Sequence, residues 1–215
     1  RGSADDKGQV MTHLAAMRSW KAAGAPWPVR IRFLIEGEEE IGSPHLPAFV
    51  QANREQLACD YVVLSDTSKL DADTPALAYA SRGLVYKELT VQGPSKDLHS
   101  GHYGGAVANP ANTLAAIIAA LHDERRRVTI PGFYDDVAEL SDEERRMMRE
   151  HGMSDADLLA ATGSPAPAGE EGFTTAERRS SRPTLDVNGI VGGYTGEGGS
   201  TIAPSTASAK GSMRL

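Results

Sequence analysis

Three consecutive glutamates, Glu38, Glu39 and Glu40, follow directly on an alternating apolar stretch, PVRIRFLIEG (Pro28 to Gly37), and run straight into Ile41, Gly42 and Ser43. Like charges in a row repel, so three of them at the end of an apolar strand pattern call for a counter-charge, and a metal ion supplies one. A solvated acidic turn is the alternative reading. Two more acidic sites stand at element ends in the same half of the chain. Asp5 and Asp6 open a helical pattern in RGSADDKG, and Asp66 closes the strand pattern CDYVVLSD.

The order of patterns around these sites predicts the fold class. Asp5 to Ala23 places Val10, Met11, Leu14, Ala15, Met17 and Arg18 near helical period, and Gly24 stops it. Val29 to Ile35 reads as a strand, His45 to Leu57 as a helix and Asp60 to Ser65 as a buried strand. Helix and strand in alternation predict an α/β unit with a mixed or parallel sheet, in which ligands gather beyond the carboxyl ends of the strands. The pattern changes after Arg82. Leu84 to Val91, Pro183 to Val191 and Ser205 to Leu215 read as half-exposed strands, and Pro110 to Leu121 as an alanine-rich helix. The expectation is a first domain over residues 1–82 and an α+β domain with an antiparallel sheet over residues 83–215. Thr162 to Arg182, rich in Gly, Pro, Ala, Ser and Glu, reads as a long loop.

Composition excludes some partners. The formal charge of the 215-residue chain is -7 and no basic stripe stands out, which argues against nucleic acid. Arg125, Arg126 and Arg127 follow Asp123 and Glu124 and read as a solvated helix end. No apolar run is long enough to span a membrane and no signal peptide opens the chain. The single cysteine, Cys59, rules out an internal disulfide framework and suits a reducing compartment, so a cytoplasmic location is expected. A start on Arg1 and a finish on the strand pattern ASAKGSMRL lead to the expectation of an internal piece of a longer protein, with its second domain continuing past Leu215.

Five ordered motifs, RGSADDKG, EGEEEIGS, DYVVLSD, KDLHSGHYGG and GGSTIAP, carry a resemblance that covers nearly the whole chain. They resemble the di-zinc metallopeptidases that include cytosolic non-specific dipeptidase, carnosinase, carboxypeptidase G2, aminoacylase-1 and succinyl-diaminopimelate desuccinylase. KDLHSGHYGG and GGSTIAP stand nearest the dipeptidase and carnosinase branch. The resemblance implies two divalent metal ions, zinc first, with manganese or cobalt as alternatives. It implies that Asp5 bridges them, with Asp6 as its neighbour shaping the turn, that Glu40 binds one ion and Asp66 the other, and that Glu39 is the general base. It implies that His99 reaches a partner subunit's site to stabilise an oxyanion, and that Thr201 and Arg214 hold a substrate carboxylate. Residues 83–215 would then be an inserted dimerisation (lid) domain of a homodimer.

Other readings of the same residues stay open at this stage. Asp5 and Asp6 could cap a helix N-terminus, and Asp66 could form a turn. His99 and His102 could be surface residues, Gly198 and Gly199 could form an anion nest without a Walker pattern, and Arg214 could be a strand-surface charge. The family also uses one histidine ligand upstream of these motifs and another near its C-terminus, and neither His13 nor His45 fits those slots. A chain with that ligand set incomplete is expected to be inactive by itself. The expected activity of the whole enzyme is hydrolysis of the amide bond of dipeptides or short peptides. An N-acyl amino acid hydrolase of the aminoacylase or desuccinylase type, or a non-catalytic dimerisation module, are the alternatives.

Overall fold

The computed structural model describes residues 2–67 and 78–215. They fall into two compact units, Arg1–Ala76 and Leu77–Leu215.

In the first unit, α1 (Lys7–Ala22) follows a tight backbone turn in which Gly2 N–H donates to the Asp5 carbonyl at 2.8 Å and Lys7 N–H to the Gly2 carbonyl at 3.1 Å. Val10, His13, Leu14 and Met17 lie half-buried on one face, the helical spacing that the sequence predicts. Gly24, at φ +67, ends the helix. Glu39–Ile41 form one 3-10 turn, closed by Gly42 in the left-handed region at φ +84. The helix expected over His45 to Leu57 is two, α2 (Leu46–Ala52) and α3 (Arg54–Leu57), because Asn53 leaves helical geometry and its side-chain amide donates to the Phe49 carbonyl at 2.8 Å. Asn competes for backbone in this way and so favours helix ends.

The two strands expected here, Val29 to Ile35 and Asp60 to Ser65, form no ladder among the described residues. Ile35 is 64% exposed and Leu64 83%. The first stretch is tied to the end of α3 by the Arg32 guanidinium, which donates to the Ala58 carbonyl at 2.6 Å. Apolar alternation specifies which side of a strand packs, but the strand itself needs a second backbone in register. The expected parallel sheet of residues 1–82 is therefore absent among the described residues.

The second unit is an antiparallel α+β unit. It runs β1 (Leu84–Gln92), β2 (Leu98–His99), α4 (Ser100–Tyr103), α5 (Pro110–Ala120), α6 (Asp142–His151), α7 (Asp155–Thr162), α8 (Thr175–Ser180), β3 (Thr184–Gly192), β4 (Ile202–Ala203) and β5 (Thr206–Arg214). The sheet order is β1-β5-β3, with β5 antiparallel to both neighbours, and β2 pairs with β4 in a separate two-stranded ladder. Helix α5 starts with Pro110 behind an Asn109 cap and packs Leu114, 1% exposed, on Ala207 and Ala209 of β5, with Val91, Ala111 and Ile118 around them. Small residues on the central strand let the helix approach closely. A Cβ on Gly93 would lie 2.5 Å from the Pro110 ring.

Thr162 to Arg182 is not one long loop. It contains α8, and three of its charged side chains, Glu170, Glu177 and Arg182, are buried rather than solvated. The Arg182 guanidinium donates twice to the Glu170 carboxylate, at 2.8 and 3.0 Å, and lies 4.2 Å from the centre of the Phe173 ring. Helices α6, α7 and α8 each open on a capping box, Ser141 with Glu144, Ser154 with Asp157 and Thr174 with Glu177. The last of these, Thr174 with Glu177, lies within the segment read as a loop and starts a helix there despite the breaker-rich composition.

Candidate metal and substrate sites

Four of the acidic residues singled out in the sequence line one cavity of about 330 Å³ in the first unit. Asp5, Glu39, Glu40 and Asp66 form its wall together with Ala4, Gln9 and Thr67. Asp5 comes from the turn before α1, and the Asp5–Asp6 peptide is cis. Asp6 occupies the N-cap position but its side chain makes no capping bond, so helix capping is not what Asp6 does here.

The acidic run divides its work by local bonding. The His45 imidazole Nδ1 lies 2.9 and 3.0 Å from the two Glu38 carboxylate oxygens, and the Ser43 hydroxyl donates to Glu36 at 2.7 Å. Glu36 and Glu38 thus brace the loop, while Glu39 and Glu40, on the 3-10 turn, line the cavity. Successive residues on such a turn point about a third of a turn apart, which suits adjacent carboxylates to separate tasks. Asp66 follows Ser65, whose hydroxyl lies 2.6 Å from His13 Nε2 on α1. His13 and His45 are both engaged away from the cavity wall.

The donor chemistry of this wall fits a divalent cation, since carboxylate oxygens suit hard and borderline ions. Asp5, Glu40 and Asp66 are the residues that would hold it. Among the described residues no three His, Cys, Asp or Glu side chains converge into a metal-holding group, so the arrangement is open.

The second unit brings His99 and Thr201 together across the short ladder. His99 pairs with Ile202, Leu98 with Ala203, and Ser100 N–H donates to the Thr201 carbonyl at 2.7 Å. Asp97, which the sequence reading passed over, adds a side-chain tie. Its carboxylate accepts the Ser205 N–H at 2.7 Å, and the backbone and hydroxyl bonds from Ser205 hold its carboxyl below the usual aspartate range. The KDLHSG and GGSTIAPS sequences hint at polar loops but not at this pairing, which spans 108 residues.

Arg214 is elsewhere. It is the last residue of β5, opposite Leu84 and Thr184, whereas Thr201 precedes the other end of that strand. From Thr206 to Arg214 an extended strand advances roughly 27 Å. Arg82 stands in the same neighbourhood as Arg214; burial, then the charges of Arg214 and Arg179, push its guanidinium pKa down from its ordinary value.

Comparison with known proteins takes in both units of the chain. The sequence model of peptidase family M20/M25/M40 matches residues 1–191. The Cys-Gly metallodipeptidase dug1 of Schizosaccharomyces pombe is 36% identical over 216 residues, covering 100% of this chain and 45% of its own. The Beta-Ala-His dipeptidase of Mus musculus is 32% identical over 221 residues, covering 100% of this chain and 44% of its own. Among solved structures, the M20 family metallo-carboxypeptidase Sso-CP2 from Sulfolobus solfataricus superposes with a TM-score of 0.84 at 38% identity, over 100% of this chain and 49% of that one. The chain therefore spans about half the length of the relatives it matches.

Proposed function

Because the chain belongs to peptidase family M20/M25/M40, we propose that it works as part of a metal-dependent hydrolase that cleaves the amide bond of dipeptides or short peptides. The observation that carries this reading is the cavity that Asp5, Glu39, Glu40 and Asp66 line. The two curated relatives described above are both dipeptidases by name, which favours short peptide substrates over N-acyl amino acids.

In this reading Asp5, Glu40 and Asp66 hold two divalent ions, zinc first. Such ions, when bound, polarise a carbonyl and make water acidic enough to attack it near neutral pH. Glu39 takes the proton of the attacking water and returns it to the leaving amine nitrogen. His99 donates a hydrogen bond to the oxyanion, and Thr201 and Arg214 hold the substrate carboxylate. Residues 83–215 serve as the lid and homodimer domain in the cytoplasm. Support for two chains comes from length: β5 alone sets Arg214 roughly 27 Å from Thr206, against the roughly 7 Å that two extended residues span, and Thr201 comes before Thr206.

No helix of the described residues is long and apolar enough to cross a membrane. The test is hydrolysis by the protein expressed from its complete gene, using dipeptides alongside N-acetyl and N-succinyl amino acids. Dipeptide cleavage that a chelator abolishes and added zinc, manganese or cobalt restores is the expected result. Cleavage confined to the acylated amino acids would replace the substrate assignment, and metal-free cleavage would remove the mechanism.

A further inference from the structure

The His99 ring is fixed by the residue two positions after it. Gly101 N–H donates to His99 Nδ1 at 3.0 Å. A backbone amide only donates, so Nδ1 is unprotonated and the neutral imidazole carries its proton on Nε2. The absence of a side chain at Gly101 serves the same contact. Gly101 lies within α4 and outside the positive-φ region, so alanine would suit its backbone, yet a Cβ there would sit 2.7 Å from His99 Cε1 and 2.9 Å from Nδ1. What excludes a side chain is the imidazole, not the fold. The His102 ring, with its centre 4.8 Å from that of His99, is the other titratable group against it.

A second contact fixes where the ring stands. The β2–β4 ladder has only two residue pairs, and a ladder so short is marginal by itself. Immediately before it, the Asp97 carboxylate accepts the Ser205 N–H at 2.7 Å, a charge-assisted bond that closes this end of the pairing. Ser205 is held on its other side as well, since Gly93 N–H donates to its carbonyl at 2.8 Å.

We propose that Gly101 and Asp97 are positioning residues that preset His99 as an Nε2–H hydrogen-bond donor beside Thr201. Gly101 decides which nitrogen donates, and Asp97 decides where it stands. The catalytic value of this device rests on the reading of His99 as an oxyanion donor, whereas the preset itself is a property of the ring and its loop.

Imidazole nitrogen-15 spectra of the full chain test the two parts separately. Above the ordinary histidine titration range, His99 should show an unprotonated-type Nδ1 shift and a protonated-type Nε2 shift. Gly101→Ala should move both toward the averaged values of a solvated histidine, while the melting temperature stays level or rises, because alanine is the better helix former. A wild-type ring protonated on Nδ1, or an unchanged tautomer in Gly101→Ala, overturns the Gly101 assignment. For Asp97, the Ser205 amide proton should titrate with a carboxyl below the usual aspartate range, and Asp97→Ala should abolish that titration. In the protein from the complete gene, Asp97→Ala should lower kcat about tenfold or more with KM little changed, and Asp97→Asn should restore part of the loss. A Ser205 amide that ignores Asp97 overturns the second assignment. Full turnover in His99→Ala alongside a scrambled tautomer in Gly101→Ala would remove the oxyanion role and leave the preset standing.

Discussion

His13 Nε2 and Ser65 Oγ lie 2.6 Å apart, joining α1 to the residue just before Asp66. Both side chains are half-buried, so the bond is shielded from water on at least one side. The contact connects the helix that follows Asp5 to the segment that carries Asp66, and thus couples two walls of the carboxylate cavity. If Asp66 holds a metal ion as proposed, this bond fixes the residue beside a ligand, and losing a support of that sort is expected to cost about tenfold in metal affinity. His13→Ala should therefore weaken zinc binding by about that factor while leaving the dipeptide preference alone, as read by competition with a chelating dye. Equal zinc affinity in wild type and variant would show that Asp66 needs no such support.

Glu39 and Glu40 are neighbours with different assignments, and the difference is measurable. Glu39→Ala, made in the protein from its complete gene, should cut turnover by about 10² to 10⁴ with metal content near normal, the range for a group that moves a proton. Glu40→Ala should instead lower the metal content found by elemental analysis. Equal metal content in the two variants would mean that the roles are wrongly divided.

Where neighbouring residues alone decide structure, the sequence was enough to read it. Pro110 behind Asn109 with a run of alanines gives α5, and alternation gives β1, β3 and β5 to within a residue or two of their ends. Helices α6, α7 and α8 escaped notice, α6 and α8 because they carry few apolar residues and so no apolar period, although Ser141 with Glu144, Ser154 with Asp157 and Thr174 with Glu177 spell capping boxes. In the acidic run, residue type could not separate Glu38 from Glu39 and Glu40. The separation comes from His45, seven residues on, which takes Glu38 out of the cavity wall. The resemblance gives Thr201 and Arg214 one shared task, yet the residues between them include all of β5, whose length no sequence motif reveals. Asp97 and Ser205 show the reverse case, distant in sequence and bonded in space.

Acid should destabilise the second unit in a definite direction. Burial pushes the Glu177 carboxyl up, but hydrogen bonds from the Thr174 amide and hydroxyl and the charge of Arg145 outweigh it and hold the pKa below the ordinary 4.5. Glu144 and Asp157 are held low by their bonds from Ser141 and Ser154. A carboxyl with a depressed folded-state pKa contributes stability that is complete above its unfolded value and is lost as pH falls through the folded one. The melting temperature followed by circular dichroism should thus fall below about pH 4.5, with a shallower acid limb in Glu177→Gln. Parallel acid limbs in wild type and variant would show that Glu177 contributes no such linkage.

The separation of Thr201 from Arg214 along β5 bears on how a short substrate is held. Roughly 27 Å of strand between Thr206 and Arg214 exceeds the roughly 7 Å of an extended dipeptide several-fold, which favours two chains sharing the task if both residues grip one substrate. His99 travels with Thr201 through the β2–β4 ladder, and Glu39 belongs to the other unit of the chain. An active site that combines the His99 loop of one subunit with the carboxylates of another can be restored from two damaged chains. A His99→Ala chain co-expressed with a Glu39→Ala chain should form heterodimers in which one of the two sites has an intact Glu39 and an intact His99. Differently tagged subunits, purified in tandem, should then show up to about half of the wild-type turnover per dimer, far above either parent, since each missing group alone costs about 10² or more. A tandem-purified heterodimer no more active than its parents would place His99 and Glu39 in the same chain's site and remove the shared-site reading.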